Sequence, residues 1–180
     1  ALFDTLFLAV RQGPSYIGLG ERTTPVRHSV TASVAWPNNP ADTARTHLYR
    51  STGSTSTFVG GKWQGDRIRF TTRTLGRYEW MTDTLPPKVV LYEHSKNRIR
   101  ARISDDLSGI GSFEATVNNE WVLLNYEYKD GQLWSEKLDS LRHFEGELSL
   151  KVTDRAGNST NLQVQIKDLP VSKKPVKRKR

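Results

Sequence analysis

Apolar and polar residues alternate through most of this chain with a period of two. The runs Val30-Thr-Ala-Ser-Val-Ala-Trp36, Asp66-Arg-Ile-Arg-Phe-Thr-Thr-Arg73, Arg98-Ile-Arg-Ala-Arg-Ile103 and Glu147-Leu-Ser-Leu-Lys-Val152 show it most cleanly. Successive side chains leave a β-strand on opposite faces, so this alternation predicts half-buried strands. Turn phrases close the runs: Pro37-Asn-Asn-Pro40, Ser51-Thr-Gly-Ser54, Asp105-Asp-Leu-Ser-Gly-Ile110 and Asp154-Arg-Ala-Gly-Asn158. Asp, Asn and Ser side chains bond nearby backbone there, and Gly or Asn accepts positive φ. Further strands are predicted over 3–10, 47–50 and 77–81, and Gly60-Gly61 reads as a hairpin turn between Phe58-Val59 and Lys62-Trp63. No long stretch carries a helical period.

Asp83-Thr-Leu-Pro-Pro87 breaks the pattern, because two prolines cannot donate to a sheet and stiffen the connection. Alternation then resumes, with strands predicted over 88–92, 98–103, 111–117, 121–128, 132–136, 146–152 and 161–166. Asn118-Asn119 and Lys129-Asp-Gly131 read as hairpin turns, and 138–144 as a helical turn or a crossover between sheets. Each side of the prolines thus holds about seven strands, the number in an immunoglobulin-like sandwich. The expected fold is all-β: two tandem immunoglobulin-like β-sandwiches, 1–85 and 86–169, followed by a disordered basic tail, 170–180. Trp36 and Trp80 are expected in the first core.

Composition sharpens this picture. Hydrophobic residues make up 36% of the 180 and the mean hydropathy is −0.61, which suits thin sandwiches better than one deep core. No apolar run approaches the ~18 residues that span a bilayer as a helix. The opening Ala1-Leu-Phe-Asp-Thr-Leu-Phe-Leu-Ala-Val10 lacks a basic leader and is interrupted by Asp4, so it reads as a strand of a longer precursor and not as a signal peptide. The net charge is +8, and Lys173, Lys174, Lys177, Arg178, Lys179 and Arg180 supply six of those charges, leaving +2 for the rest. A solvated tail accounts for that cluster, and nucleic acid is not an expected partner.

Candidate chemistry is sparse. The chain has no cysteine, which excludes disulfides and thiol catalysis. His28, His47, His94 and His143 fall in neither His-x-His nor His-Glu-x-x-His spacing, so no zinc centre is predicted. No serine sits in a Gly-x-Ser-x-Gly elbow, and no cofactor is expected. Asp105, Asp106, Asp154 and Asn158 are the one arguable metal cluster, because oxygen ligands on irregular turns suit Ca²⁺. Asp83 joins them if the turns share a pole. The commoner use of such residues is to cap turns through backbone amides. Trp121, Tyr126, Tyr128 and Trp134 are predicted on neighbouring strands, where outward-facing members form a ligand or partner surface and inward-facing ones pack across strands.

Several phrases occur in a telling order: Gly76-Arg-Tyr78, Asp83-Thr-Leu-Pro-Pro87, Ile103-Ser-Asp-Asp-Leu-Ser-Gly-Ile110, Asn119-Glu-Trp-Val122, Tyr126-Glu-Tyr-Lys129 and Val152-Thr-Asp-Arg-Ala-Gly-Asn158. In this the chain resembles the non-catalytic C-terminal region of Bacteroidetes cell-envelope proteins that carry a lysostaphin/LytM-type zinc metallopeptidase domain. The resemblance covers most of 3–168 and implies immunoglobulin-like domains that follow the peptidase. It implies a periplasmic or outer-membrane-associated location, with an envelope protein, peptidoglycan or the upstream peptidase domain of the same precursor as partner. That family's zinc centre uses His-x-x-x-Asp and His-x-His, neither of which this chain contains, so no catalytic residue carries over. The implied function is a non-enzymatic accessory region. The alternatives are the C-terminal fragment of an active peptidoglycan endopeptidase and a carbohydrate-binding module.

Overall fold

The computed structural model describes residues 8–36, 40–137, 139 and 141–166. Sixteen antiparallel strands form four sheets, and no helix occurs among the described residues. The fold is all-β, as the alternation predicts. Residues 3–7 of the predicted 3–10 strand, and the basic tail, lie outside the described residues; of 8–10, only Val10 is in a strand.

Contacts divide the chain into two compact units. Among the described residues, the first spans 8–88 together with 104–112 and 152–160, and the second 89–103, 113–151 and 161–166. The turn phrases of the second half therefore cluster with the first.

The strands before Asp83 are β1 (Val10–Gln12), β2 (Tyr16–Leu19), β3 (Val30–Ala35), β4 (Thr46–Thr52), β5 (Thr55–Gly60), β6 (Lys62–Gln64), β7 (Arg67–Thr72) and β8 (Gly76–Thr82). They make a five-stranded sheet, β1-β2-β8-β4-β5, and a three-stranded one, β3-β7-β6. One core joins the two: Ile17, Leu19, Leu48 and Tyr78 from the first sheet meet Val34, Ile68 and Phe70 from the second, with Trp36 and Leu75. Trp36 is 1% exposed, stands edge-on to Trp80 at 5.8 Å and donates its indole N–H to the Pro14 carbonyl.

Gly60-Gly61 is not the predicted hairpin turn. β5 pairs with β4, whereas β6 pairs with β7, so the two glycines carry the chain from one sheet to the other. Their φ values of 85° and 130° permit that corner at low steric cost. The hairpin turns are instead Gly53-Ser54, between Thr52 and Thr55, and Gly65-Asp66, between Gln64 and Arg67. Strand β2 is not among the predicted strands: Gly18 within it and Gly20 just after it interrupt the apolar pattern.

The later strands are β9 (Lys88–His94), β10 (Ile99–Ser104), β11 (Ile110–Val117), β12 (Glu120–Trp121), β13 (Leu124–Glu127), β14 (Gln132–Ser135), β15 (Glu147–Asp154) and β16 (Ser159–Gln165). They form the sheets β13-β14-β10-β9 and β12-β11-β15-β16. Ile99, Ala101, Ile103 and Leu133 of one sheet, and Ala115, Val117, Leu148 and Leu150 of the other, are buried. Phe113 and Tyr126 touch across the two, ring centres 5.3 Å apart. Asn118 and Asn119 both take positive φ, forming the two-residue turn between β11 and β12. The predicted single strand over 121–128 is two strands in different sheets, with the crossing at Val122-Leu123.

Candidate functional site

Strand alternation aims two carboxylates inward. In β15, Leu148, Leu150, Val152 and Asp154 occupy the buried positions, so Asp154 continues an apolar stripe. Ile99, Ala101 and Ile103 set the buried face of β10, and Asp105 follows in the same phase. Asp83 follows β8 and is 3% exposed, as is Asp154. Each of Asp83, Asp105 and Asp154 presents a carboxylate oxygen, and the three oxygens lie within 4.8 Å of one another. It is the one such gathering of His, Asp or Glu among the described residues, and no histidine takes part.

Backbone amides organise the cluster. Asp105 Oδ2 accepts from the N–H groups of Gly109 at 2.7 Å and Leu107 at 3.1 Å. Asp83 accepts from Leu85 N–H on Oδ1 and Ser108 N–H on Oδ2. Asp154 accepts from the backbone and the side-chain amide of Asn158, both at 2.8 Å. The Asn158 side chain also donates to the Asp83 carbonyl at 2.9 Å, and Arg155 N–H donates to the Gly109 carbonyl at 2.9 Å. The turns 105–109 and 154–158 and the 83–85 segment are thus knotted together inside the first unit. These bonds are the turn-capping chemistry expected of Asx residues, extended over long range.

Of the residues singled out in the sequence, Asp105, Asp154 and Asn158 converge, and Asp83 joins them. Asp106 does not: its carboxylate turns out to Lys88 Nζ at 2.6 Å, with a side chain 60% exposed. A cavity of about 260 Å³ opens beside the cluster, lined by Asp83, Asp105, Pro86 and Leu107 among others.

Tyr49 is a participant the sequence does not flag. It is fully buried on β4, edge-on to Phe58 at 5.4 Å; the Arg155 guanidinium lies over that Phe58 ring at 5.9 Å. Its hydroxyl finds no hydrogen-bond partner among the described residues. Burial holds the phenol protonated well above the usual tyrosine range, and the carboxylates of Asp83, Asp105 and Asp154 add to that effect. The local phrase His47-Leu-Tyr-Arg50 reads only as a short strand, so nothing near Tyr49 announces three distant aspartates.

The four aromatic residues do not share one platform. Trp121 lies in the β12-containing sheet and Trp134 in the β14-containing one. Tyr126 is paired with the buried Leu133 and packs inward on Phe113. Trp121 is 62% exposed, Tyr128 79% and Trp134 37%. Trp121 also borders a cavity of about 530 Å³ together with Leu123, Lys137, Arg142 and Phe144. Arg142 is held there by a two-pronged bond to Glu120, at 2.9 and 2.7 Å.

No family model matches the chain, and no curated protein matches it in sequence. Among solved structures it is similar to an apo expansin from Clavibacter michiganensis and to a point mutant of that expansin in complex with cellohexaose. Each is 16% identical over 71% of this chain and 70% of the other, with a TM-score of 0.37.

Proposed function

We propose that this chain is a non-catalytic accessory region of a bacterial cell-envelope protein of the LytM-type peptidase family, which docks that protein on peptidoglycan or on an envelope assembly. The observation that carries the docking role is the cavity walled by Trp121. An exposed indole beside Arg142, Lys137 and Glu136 offers an apolar face flanked by hydrogen-bonding groups, the combination that sugars and peptides are held by. The envelope setting rests on the ordered phrases. Two of them, 105–110 and 154–158, make the knot with Asp83, so they serve as fold-holding turns and leave partner binding to other surfaces.

The same cavity favours a carbohydrate-binding module as the second reading. Co-sedimentation separates the outcomes. The 180-residue chain is mixed with protein-free peptidoglycan sacculi, and separately with crude envelope fragments. Docking predicts retention on at least one, with Trp121→Ala released to the supernatant and no muropeptides liberated. Retention on bare sacculi favours the carbohydrate reading, and retention only on crude envelope favours a protein partner. Failure on both, or liberation of muropeptides by this chain alone, defeats the proposal.

A further inference from the structure

We propose that Asp83, Asp105 and Asp154 together hold one divalent, oxygen-preferring cation of the Ca²⁺ class, with the Tyr49 hydroxyl hydrogen-bonded to a water on that ion. Two independent observations converge on it.

The first is the carboxylate geometry. Three acidic oxygens within 4.8 Å of one another match the shell of an ion that takes oxygens at about 2.3–2.6 Å, whose opposed ligands stand about 5 Å apart. A carboxylate offers about four lone-pair sites. Asp83 and Asp154 each spend two on amides, and the amides reaching Asp105 all converge on Oδ2. Acceptor capacity therefore remains on all three. Among the described residues no Lys or Arg forms an ion pair with any of them. Two of these carboxylates are buried, where like charges repel strongly unless a counter-charge is supplied.

The second is Tyr49. Its side chain is fully buried, its hydroxyl has no partner among the described residues, and it lies within electrostatic reach of the same three carboxylates. A buried hydroxyl without a partner is costly, and a metal-bound water satisfies it. The cavity beside Asp83 and Asp105 gives the ion an entry path and room for its remaining water ligands. The amide bonds that fix the carboxylates orient the ligands in advance, a role outer-shell partners play in metal sites generally. All the residues involved belong to the first unit. A bound ion there would pin the turns 104–112 and 152–160 to the 83–88 segment.

The test is calorimetric titration of the chelator-stripped 180-residue chain with CaCl₂, alongside thermal melts in CaCl₂ and in EGTA. The expected result is one ion per chain and a higher melting midpoint with calcium. Asp105→Asn should weaken binding by about tenfold or more, because it removes a ligand charge while keeping an acceptor for the Leu107 and Gly109 amides. Asp106→Asn, which alters a neighbouring exposed carboxylate outside the cluster, should leave affinity within about twofold. No binding up to millimolar calcium, with identical midpoints in CaCl₂ and EGTA, overturns the proposal. Equal weakening by the two substitutions overturns it as well. If Asp105→Asn does not fold, the wild-type titration and melts decide alone.

Discussion

Asn158 closes on Asp154 from both sides, its backbone N–H on Oδ1 and its side-chain amide on Oδ2, each at 2.8 Å. The same amide reaches the Asp83 carbonyl at 2.9 Å, 75 residues away in sequence. One side chain therefore satisfies a buried carboxylate and a buried carbonyl together. Asn158→Ala should leave both with a lost donor where water cannot easily replace it. The expected cost is about 2–4 kcal/mol of unfolding free energy in the absence of calcium. Urea denaturation monitored by circular dichroism checks this, with a fall in midpoint and no change in slope. A loss under about 0.5 kcal/mol, typical of an indifferent surface site, would show that the knot does not hold the turns.

Tyr49 makes the opposite prediction. Its hydroxyl is buried and unpartnered, so without a bound cation Tyr49→Phe removes a desolvated polar group and leaves the ring packing on Phe58 intact. In EGTA the variant should be as stable as the wild type or up to about 1–2 kcal/mol more stable. Marked destabilisation in EGTA would mean that the hydroxyl is hydrogen-bonded in the folded chain.

The same residue sets an alkaline pH dependence. The phenol is raised in the folded state by burial and then by the three carboxylates, so unfolding releases its proton once pH passes the ordinary tyrosine value near ~10. The unfolded state then binds fewer protons than the native one, and stability falls as pH rises. The contribution is fully present below about pH 10 and declines by at most about 1.4 kcal/mol per pH unit above it. Denaturation series at pH 9, 10 and 11 in EGTA should show a steeper loss for the wild type than for Tyr49→Phe. Parallel slopes would contradict the placement of Tyr49.

Much of this was legible in the sequence because its signals are local. Period-two alternation marks Ile68 and Phe70 on β7, and Leu148 and Leu150 on β15, as inward-facing. The adjacent asparagines Asn118 and Asn119 mark the turn between β11 and β12. What failed was long-range. Gly60-Gly61 looks like any hairpin turn until the partners of β5 and β6 are known. Residues 121–128 look like one strand because a crossing from sheet to sheet at Val122-Leu123 keeps the apolar character of its neighbours. Asp83, Asp105 and Asp154 each look like a turn cap, and each is one. Their meeting depends on where three strand ends arrive, and Tyr49 sits on β4, whose Thr46-His-Leu-Tyr-Arg-Ser-Thr52 carries nothing that singles it out. The turn phrases let the sequence group Asp105, Asp154 and Asn158 and allow Asp83 beside them, but only the strand pairing fixes that pole and brings Tyr49 to it.

Two tryptophans separate stability from surface. Trp36 is 1% exposed, bonds the Pro14 carbonyl at 3.0 Å and meets Trp80 edge-on. Trp36→Phe loses the bond and part of the ring volume, and should cost about 2–4 kcal/mol. Trp121→Ala, at a side chain 62% exposed, should change stability by only about 0.5 kcal/mol, so lost binding in that variant reports on the surface and not on folding. A large drop in the melting midpoint of Trp121→Ala would remove that distinction.

Gly111 tests whether the knot tolerates added volume. It lies on β11, where a Cβ would stand 2.6 Å from the Asp154 carbonyl oxygen and 2.9 Å from its carbonyl carbon. Both atoms are backbone, so no side-chain rotation relieves the clash. Gly111→Ala must therefore push β11 away from the end of β15, or displace the 154–158 turn. Either movement strains the Arg155–Gly109 backbone bond and shifts Asp154 relative to Asp105. The expected penalty is about 1–3 kcal/mol from overpacking, accompanied by weaker calcium binding, although no ligand is changed. Stability and calcium affinity both equal to the wild type would mean that the two strand ends are not held as closely as the knot requires.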